Sequence, residues 1–495
     1  MSAKVKRTTS RSLLLALLSI FGADKAYAVD APSAADAIRD TLVSASRIAP
    51  REPAERRQQA ALYAVYARHD FSPLWIHSGT LAPQALALMQ TLRTADQYGL
   101  RPQDYATGLD ASRLMGLKPG SAPREAVAAE ANLDLALSAA ALRFLTHLHF
   151  GRVDPQAAGF NLQPTRAPLD LSALVERLAT TNRVDEVVTS VEPQFYHYQL
   201  LKQALLHYRL LASGQATATR AEISTAPFAR RIRQIELTLE RWRWLPAFTS
   251  PPIIVNIPQF RLFAFNSTQD RRSEILQMDV IVGRTYPDLR TPVFAAQMKF
   301  VIFRPYWDVP SSIVQREMLP ALRATPDYLR HEHLEIVRGP SDSAAALPPT
   351  PENISALAAG ALRLRQQPGA DNALGLIKFM LPNTHNVYLH STPVPRLFSQ
   401  SRRAFSHGCI RVSDPVGLAA YVLRNAPGTW TREAILAAMH GSVTRQVNLA
   451  TPIPVLILYG TALATEDGAV LFFDDIYGND RKLEKLLNLA PVSSR

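Results

Sequence analysis

Cys409 is the only cysteine in 495 residues, and it stands in Ser406-His407-Gly408-Cys409-Ile410-Arg411. His390 precedes that run by a gap of 15 residues, in Val387-Tyr388-Leu389-His390-Ser391-Thr392. Thiol catalysis needs a thiolate, a base that takes its proton, a group that orients the base, and donors for the oxyanion. Each part is available here. Cys409 can attack a carbonyl carbon. A thiolate–imidazolium pair with His390 would bring a thiol from about 8.5 into roughly the 3.5 to 7.5 range. A carbonyl on the next turn, such as that of Ser391, can fix the imidazole tautomer. Gly408 admits close backbone approach, so its N–H and that of Cys409 are expected oxyanion donors. Two alternatives stand beside this reading. A free cysteine is often a small buried hydrophobe. Cys409, His407 and His390 also offer the sulfur and imidazole donors of zinc, although a lone H-x-C lacks paired-ligand spacing and a fourth ligand.

The elements that must position these residues read as two unlike halves. From Ala31 to about Gly214 apolar residues recur at spacings of 3 and 4, as in Pro83 to Tyr98, Arg124 to Phe150 and Phe195 to Leu211, which predicts an all-α region. His147 and His149 lie on different faces of such a helix and read as packing residues. A connector rich in Ala, Thr and Gly (Ser213 to Ser224) leads to a basic helix, Phe228 to Leu245. Beyond it, Ile253 to Pro258, Phe260 to Phe265, Met278 to Val282, Val293 to Phe303, Asn386 to Leu389 and Pro454 to Tyr459 are β-branched or aromatic and bounded by Pro, Gly or Asn, which predicts strands. The class is therefore α+β: a helical domain (29–214), a connector and Trp-rich helix (215–250), a mostly-β catalytic domain (251–460) and a C-terminal extension (461–495). Helical and Pro/Ser/Ala-rich sequence at about 311–372 interrupts the β half and reads as a lid over the site.

The N-terminus carries Lys4, Lys6, Arg7 and Arg11, then an apolar run from Leu13 to Phe21 and Ala26-Tyr27-Ala28. This order predicts an export signal over 1–28, too short in its apolar part for a bilayer span of about 20 residues. Membrane association would come only from an uncleaved N-terminal segment. The precursor has a net charge of +12, from 54 Lys and Arg against 42 Asp and Glu. Residues 1–28 hold five of those cations and Asp24, a net of +4, which leaves +8 on the exported chain. That balance suits a polyanionic neighbour. An anionic envelope polymer or membrane surface fits an exported chain, a solvated Arg-rich surface with no partner stands equally beside it, and no nucleic acid is expected, because no basic cluster interleaved with aromatics occurs.

His390, the 15-residue gap, Ser406-His407-Gly408-Cys409, an aliphatic residue and Arg411 resemble the signature of L,D-transpeptidases with a YkuD-type catalytic domain. Glu240 to Pro246, Val255-Asn256-Ile257-Pro258, Gly283-Arg284-Thr285 with Thr291-Pro292, the Trp307 segment and His149 to Pro155 are similar to the larger, periplasmic YcbB-like branch. The resemblance runs from about residue 40 to 480. In that branch a peptidoglycan-binding module commonly precedes the Trp-rich helix, where this chain has only its short connector. The resemblance implies Cys409 as acyl nucleophile, His390 as base and Ser391 as the residue whose carbonyl orients it. Tyr388, Ser406, His407 and Gly408 would shape the pocket and oxyanion hole. Arg411, Arg403 and Trp307, with Arg402, would meet substrate. The family attacks the tetrapeptide stem of peptidoglycan, expels D-alanine through a thioester, and forms 3-3 cross-links without metal or cofactor, in the periplasm of Gram-negative bacteria; carbapenem β-lactams acylate the cysteine. L,D-carboxypeptidase activity and a non-catalytic wall-binding scaffold are the alternatives.

Overall fold

The computed structural model describes residues 33–47, 53–109, 123–162, 168–219, 222, 227–246, 250–267, 276–286, 289–325 and 327–490. The expected export signal, residues 1–28, lies outside them. Two compact units emerge: one holds the described residues up to Asp154 and from 168 to Leu245, the other residues 155–162 and those from Pro246 onward.

The first unit is helical, as its apolar spacing predicts. Its helices are α1 (Ala34–Ser46), α2 (Pro53–Ala67), α3 (Pro83–Arg93), α4 (Pro123–Phe150), α5 (Leu171–Thr180), α6 (Val184–Val191), α7 (Tyr196–Ala212) and α8 (Phe228–Trp242). A hairpin of β1 (Ile76–His77) and β2 (Thr80–Leu81) joins α2 to α3. The core gathers around α4, whose Leu137, Ala141, Phe144, Leu145 and Leu148 are fully buried. Buried Asp134 on α4 accepts the backbone N–H groups of Leu74, Trp75 and Ile76 and the hydroxyl of Tyr66, so the turn before the hairpin needs no water.

Two distant sequence motifs meet in this unit. Glu240 on α8 accepts the N–H groups of Arg152 and Val153 just past α4. It also pairs with the fully buried Arg243, which reaches the carbonyl of Tyr98. Gly151 has φ of +85°, and a Cβ there would lie 2.6 Å from Trp244 Nε1. Only glycine fits that turn. His147 and His149 serve packing, as expected: their Nδ1 atoms bond the Tyr105 hydroxyl and the Val191 carbonyl, respectively.

The second unit is built on β3 (Ile253–Asn256), β4 (Arg261–Ala264), β5 (Leu276–Gly283), β6 (Phe294–Phe303), β7 (Trp307–Asp308), β8 (Leu334–Val337), β9 (Ala346–Leu347), β10 (Arg363–Gln366), β11 (Ile377–Met380), β12 (Leu389–His390), β13 (Ala404–Ser406), β14 (Ile410–Val412), β15 (Arg445–Leu458), β16 (Ala462–Ala464) and β17 (Val470–Phe472). The main sheet has the order β13-β5-β14-β12-β11-β6-β15-β3-β4, and β4 also pairs with β5. The order thus closes on itself, with only β13 outside the ring. Val255, Leu262, Val280, Val301, Phe379, Leu389, Ile410 and Ile457 fill it.

Three expectations change. The insertion is more than a helical lid: its β8, β9 and β10, joined by β7 just before it, form a separate four-stranded antiparallel sheet. Its own core comprises Val309, Ile313, Val314, Leu319, Leu322, Leu334, Ile336, Leu357, Leu362 and Leu364. The predicted strand Asn386 to Leu389 shrinks to Leu389–His390, because Asn386 adopts φ of +54° and turns the chain. The catalytic unit also does not end at 460. Residues 461–490 remain part of it, with Tyr477 donating to the Gly283 carbonyl at 2.7 Å.

Candidate active site

Three adjacent strands bring the reactive groups to one face. On β11 and β12, Lys378 is the antiparallel partner of His390; on β12 and β14, His390 is the parallel partner of Arg411. Cross-strand partners project from the same side of a sheet, so Lys378, His390 and Arg411 form a row. Their neighbours Ile377, Phe379, Leu389 and Ile410 are buried on the opposite side. Cys409 stands one residue before β14, beside the end of β12, and Ile410 N–H bonds the carbonyl of Tyr388 at 3.0 Å.

Burial sets the protonation states. His390 is 3% exposed. Its pKa falls to about 3, first because burial penalises the imidazolium and then because of Arg411. The carbonyls of Ser391 and Leu374 favour the charged ring without reversing this. His390 Nδ1 is buried without a hydrogen bond of normal geometry. Burial also pushes the Cys409 thiol up, opposed by the backbone N–H and hydroxyl of Tyr388 and then by Lys378 and Arg411. Both shifts run against the expected thiolate–imidazolium pair. The Cys409 thiol donates to the Asn386 carbonyl, at 3.6 Å.

The cysteine loop is pinned by Ser406. Its hydroxyl donates to the Cys409 carbonyl at 2.5 Å and accepts the Gly408 N–H at 3.1 Å. This corrects the expected oxyanion hole: the Gly408 N–H is already held, so it is not an available donor. The Cys409 N–H has no partner among the described residues. Gly408 has φ of +115°, and its carbonyl accepts from the hydroxyl of buried Thr291 at 2.8 Å.

Comparison with known proteins assigns the two units. Residues 60–205 match the model of a Scaffold domain, and residues 251–447 match that of the YkuD L,D-transpeptidase catalytic domain. The second match holds Cys409, His390 and the strands that carry them. A Haemophilus influenzae protein named provisionally as an L,D-transpeptidase is 31% identical over 271 residues, 55% of this chain and 52% of that protein. The match thus spans about half the length of this curated relative.

Within the second unit the remaining candidate residues divide. Trp307, on β7 just before the insertion, acts on the Tyr388 hydroxyl, lowering a pKa that burial and then Cys409 raise. The Tyr388 ring packs edge-to-face on His390, with centroids 5.8 Å apart. His407 turns to the insertion, its Nε2 lying 2.7 Å from Glu317 Oε1. Arg411 stays in the row, its Nε buried and without a hydrogen-bond partner. Arg403 does not fit the substrate role expected of it. Its guanidinium is used up on the carbonyls of Val280, Gln400 and Phe260 and on Asp279, which ties β13 to β5. Arg402 is exposed.

Sequence reasoning missed Lys378, whose Nζ lies 4.0 Å from the Tyr388 ring centroid. It also missed Glu317, Thr291 as a loop anchor, and Tyr477. Lys378 had a signal, being a single cation in the apolar strand Ile377-Lys378-Phe379-Met380. Thr291 stood in the Thr291-Pro292 motif without its role being readable, and Glu317 and Tyr477 had no signal. No group of three or more His, Cys, Asp or Glu suited to a metal occurs among the described residues, and no helix there is long and apolar enough to cross a membrane.

Proposed function

We propose that this chain is a peptidoglycan L,D-transpeptidase acting through a thioester on Cys409. The observation that carries the reading is the strand register that sets His390 beside Arg411, two residues after Cys409. Cys409 Sγ adds to the carbonyl after the third residue of a tetrapeptide stem, and its proton passes to His390 as the bond forms. The tetrahedral oxyanion collapses, His390 returns the proton to the departing amine, and D-alanine leaves. A side-chain amine of a neighbouring stem then attacks the thioester, losing its proton to His390, and the regenerated thiol leaves a 3-3 cross-link.

A neutral resting pair suits such concerted proton transfer, since it keeps charge out of a buried site until substrate arrives. Charging His390 is opposed by Arg411 and Lys378. A carboxylate of the stem beside those cations would offset that cost and satisfy the buried Arg411 Nε. This supports an anionic substrate. The basic exported surface and the signal-like residues 1–28 support a site of action in the periplasm of a Gram-negative envelope.

Purified protein incubated with sacculi, followed by muropeptide mass analysis, tests the reading. It predicts 3-3 dimers and free D-alanine, both absent for Cys409→Ala. Tripeptide without dimers would make water the acceptor and the chain an L,D-carboxypeptidase.

A further inference from the structure

The peptide that joins Gly408 to Cys409 is held from behind by a buried chain of hydrogen bonds reaching the C-terminal segment. Tyr477 Oη donates to the Gly283 carbonyl at 2.7 Å and accepts the Thr291 N–H at 3.3 Å. Thr291 Oγ1 accepts the Gly283 N–H and donates to the Gly408 carbonyl, both at 2.8 Å. Thr291 is 2% exposed and Tyr477 4%, so no water competes. The approach of the 289–291 turn to β5 is very close: a Cβ on Gly283 would lie 2.1 Å from the Leu289 carbonyl oxygen. Arg290 covers the outer side, 5.4 Å from the Tyr477 ring centroid.

A trans peptide is planar, and its C=O and N–H point in opposite directions. Fixing the Gly408 carbonyl on Thr291 therefore fixes the Cys409 N–H on the opposite side. Ser406 meanwhile occupies the Gly408 N–H and the Cys409 carbonyl. Of the polar backbone groups of Gly408 and Cys409, only the Cys409 N–H is left without a partner among the described residues. A donor that is unpaired and rigidly aimed costs no reorganisation when negative charge appears beside it.

We propose that Thr291, braced by Tyr477, is a positioning residue that aims the Cys409 N–H at the developing oxyanion. The proposal rests on Cys409 being an acyl nucleophile, but not on the identity of the natural stem. Its test separates reactions of one thiol that differ in this need: acylation by p-nitrophenyl acetate or a carbapenem builds an oxyanion, whereas alkylation by iodoacetamide does not.

Losing one oxyanion donor costs about 10² to 10³-fold, and misaiming one should cost at least about ten-fold. Thr291→Val in the full chain should lower acylation by that much, with alkylation within about two-fold of wild type. Thr291→Ser, which keeps the hydroxyl, should restore most of the rate. Tyr477→Phe should shift the ratio of acylation to alkylation the same way, to a smaller extent. Equal loss in both reactions, or no loss in acylation, overturns the proposal. Should Thr291→Val not fold, the ratio in Tyr477→Phe decides, and an unchanged ratio is equally fatal. Wild-type protein that alkylates at Cys409 but is never acylated would instead defeat the acyl-transfer reading itself.

Discussion

His407, two residues before Cys409, is hydrogen-bonded to Glu317 of the insertion at 2.7 Å. Glu317 lies in a π-helical turn, Val314–Met318, and such widened turns recur at functional sites. The two side chains are 26% and 50% exposed, so this contact contributes less than about 1 kcal/mol. Glu317→Gln should lower stem-peptide turnover by less than about five-fold and leave carbapenem acylation unchanged. Initial rates and intact-mass kinetics compare the two. Equal losses would assign Glu317 to the cysteine loop rather than to holding the insertion over substrate.

His390 should be irreplaceable for acyl transfer, because a general base typically supplies about 10² to 10⁴-fold. His390→Ala should lose that much turnover. The pKa of about 3 adds a sign: the imidazole stays neutral as pH falls through 6.5, so acylation should show no inflection at the ordinary histidine value. The same shift lowers stability in acid. The unfolded chain takes up a proton below 6.5 that the folded one refuses until about pH 3, so stability is full above 6.5 and declines as pH falls towards 3. Thermal melts and acylation rates from pH 4 to 8 check both, and an acylation step near 6.5 would contradict the buried neutral imidazole.

Lys378 lowers the Cys409 pKa and opposes the charging of His390. In Lys378→Met the thiol should therefore deprotonate at higher pH, and iodoacetamide alkylation at fixed neutral pH should slow. The pH profile of alkylation is the measurement. A shift to lower pH would show that the ammonium does not act on the sulfur.

Gly151 is where the helical unit should be most intolerant. In Gly151→Ala a positive φ adds to a contact of 2.6 Å with Trp244 Nε1, a combined cost of about 2 to 4 kcal/mol. Denaturant unfolding of the full chain should show that loss. A midpoint equal to wild type would mean that the turn opens freely.

What could be read from the chain beforehand followed from local rules. The strands from Ile253 to Phe303 alternate or cluster β-branched residues, and helices such as α4 and α7 keep apolar spacing, so their kind and extent were legible. Cys409 and His390 were legible because their chemistry is in their side chains. β10 was not, since Arg363-Leu364-Arg365-Gln366 looks like a solvated segment. Its Arg365 is only 3% exposed, because it pairs with Glu335 and bonds the carbonyls of Asp342 and Ala344. Lys378 alternates with apolar residues as an outward-facing lysine would, and only the packing of Tyr388 against it shows otherwise. The fate of the Gly408 N–H depended on one hydroxyl rotor, that of Ser406, which no spacing rule reaches. The direction of the two pKa shifts was missed for a similar reason: burial is a property of the assembled sheet.

Because the insertion carries its own core and, with β7, a separate four-stranded sheet, it is built to melt as a separate cooperative unit. Native-state hydrogen exchange should find the amides of Leu334–Val337 and Arg363–Gln366 opening together, at a lower free energy than those of Phe294–Phe303. Exchange of both groups in a single global step would contradict this. Such sub-global breathing would let a bulky polymer strand enter and leave while the closed ring keeps the thiol and imidazole in register.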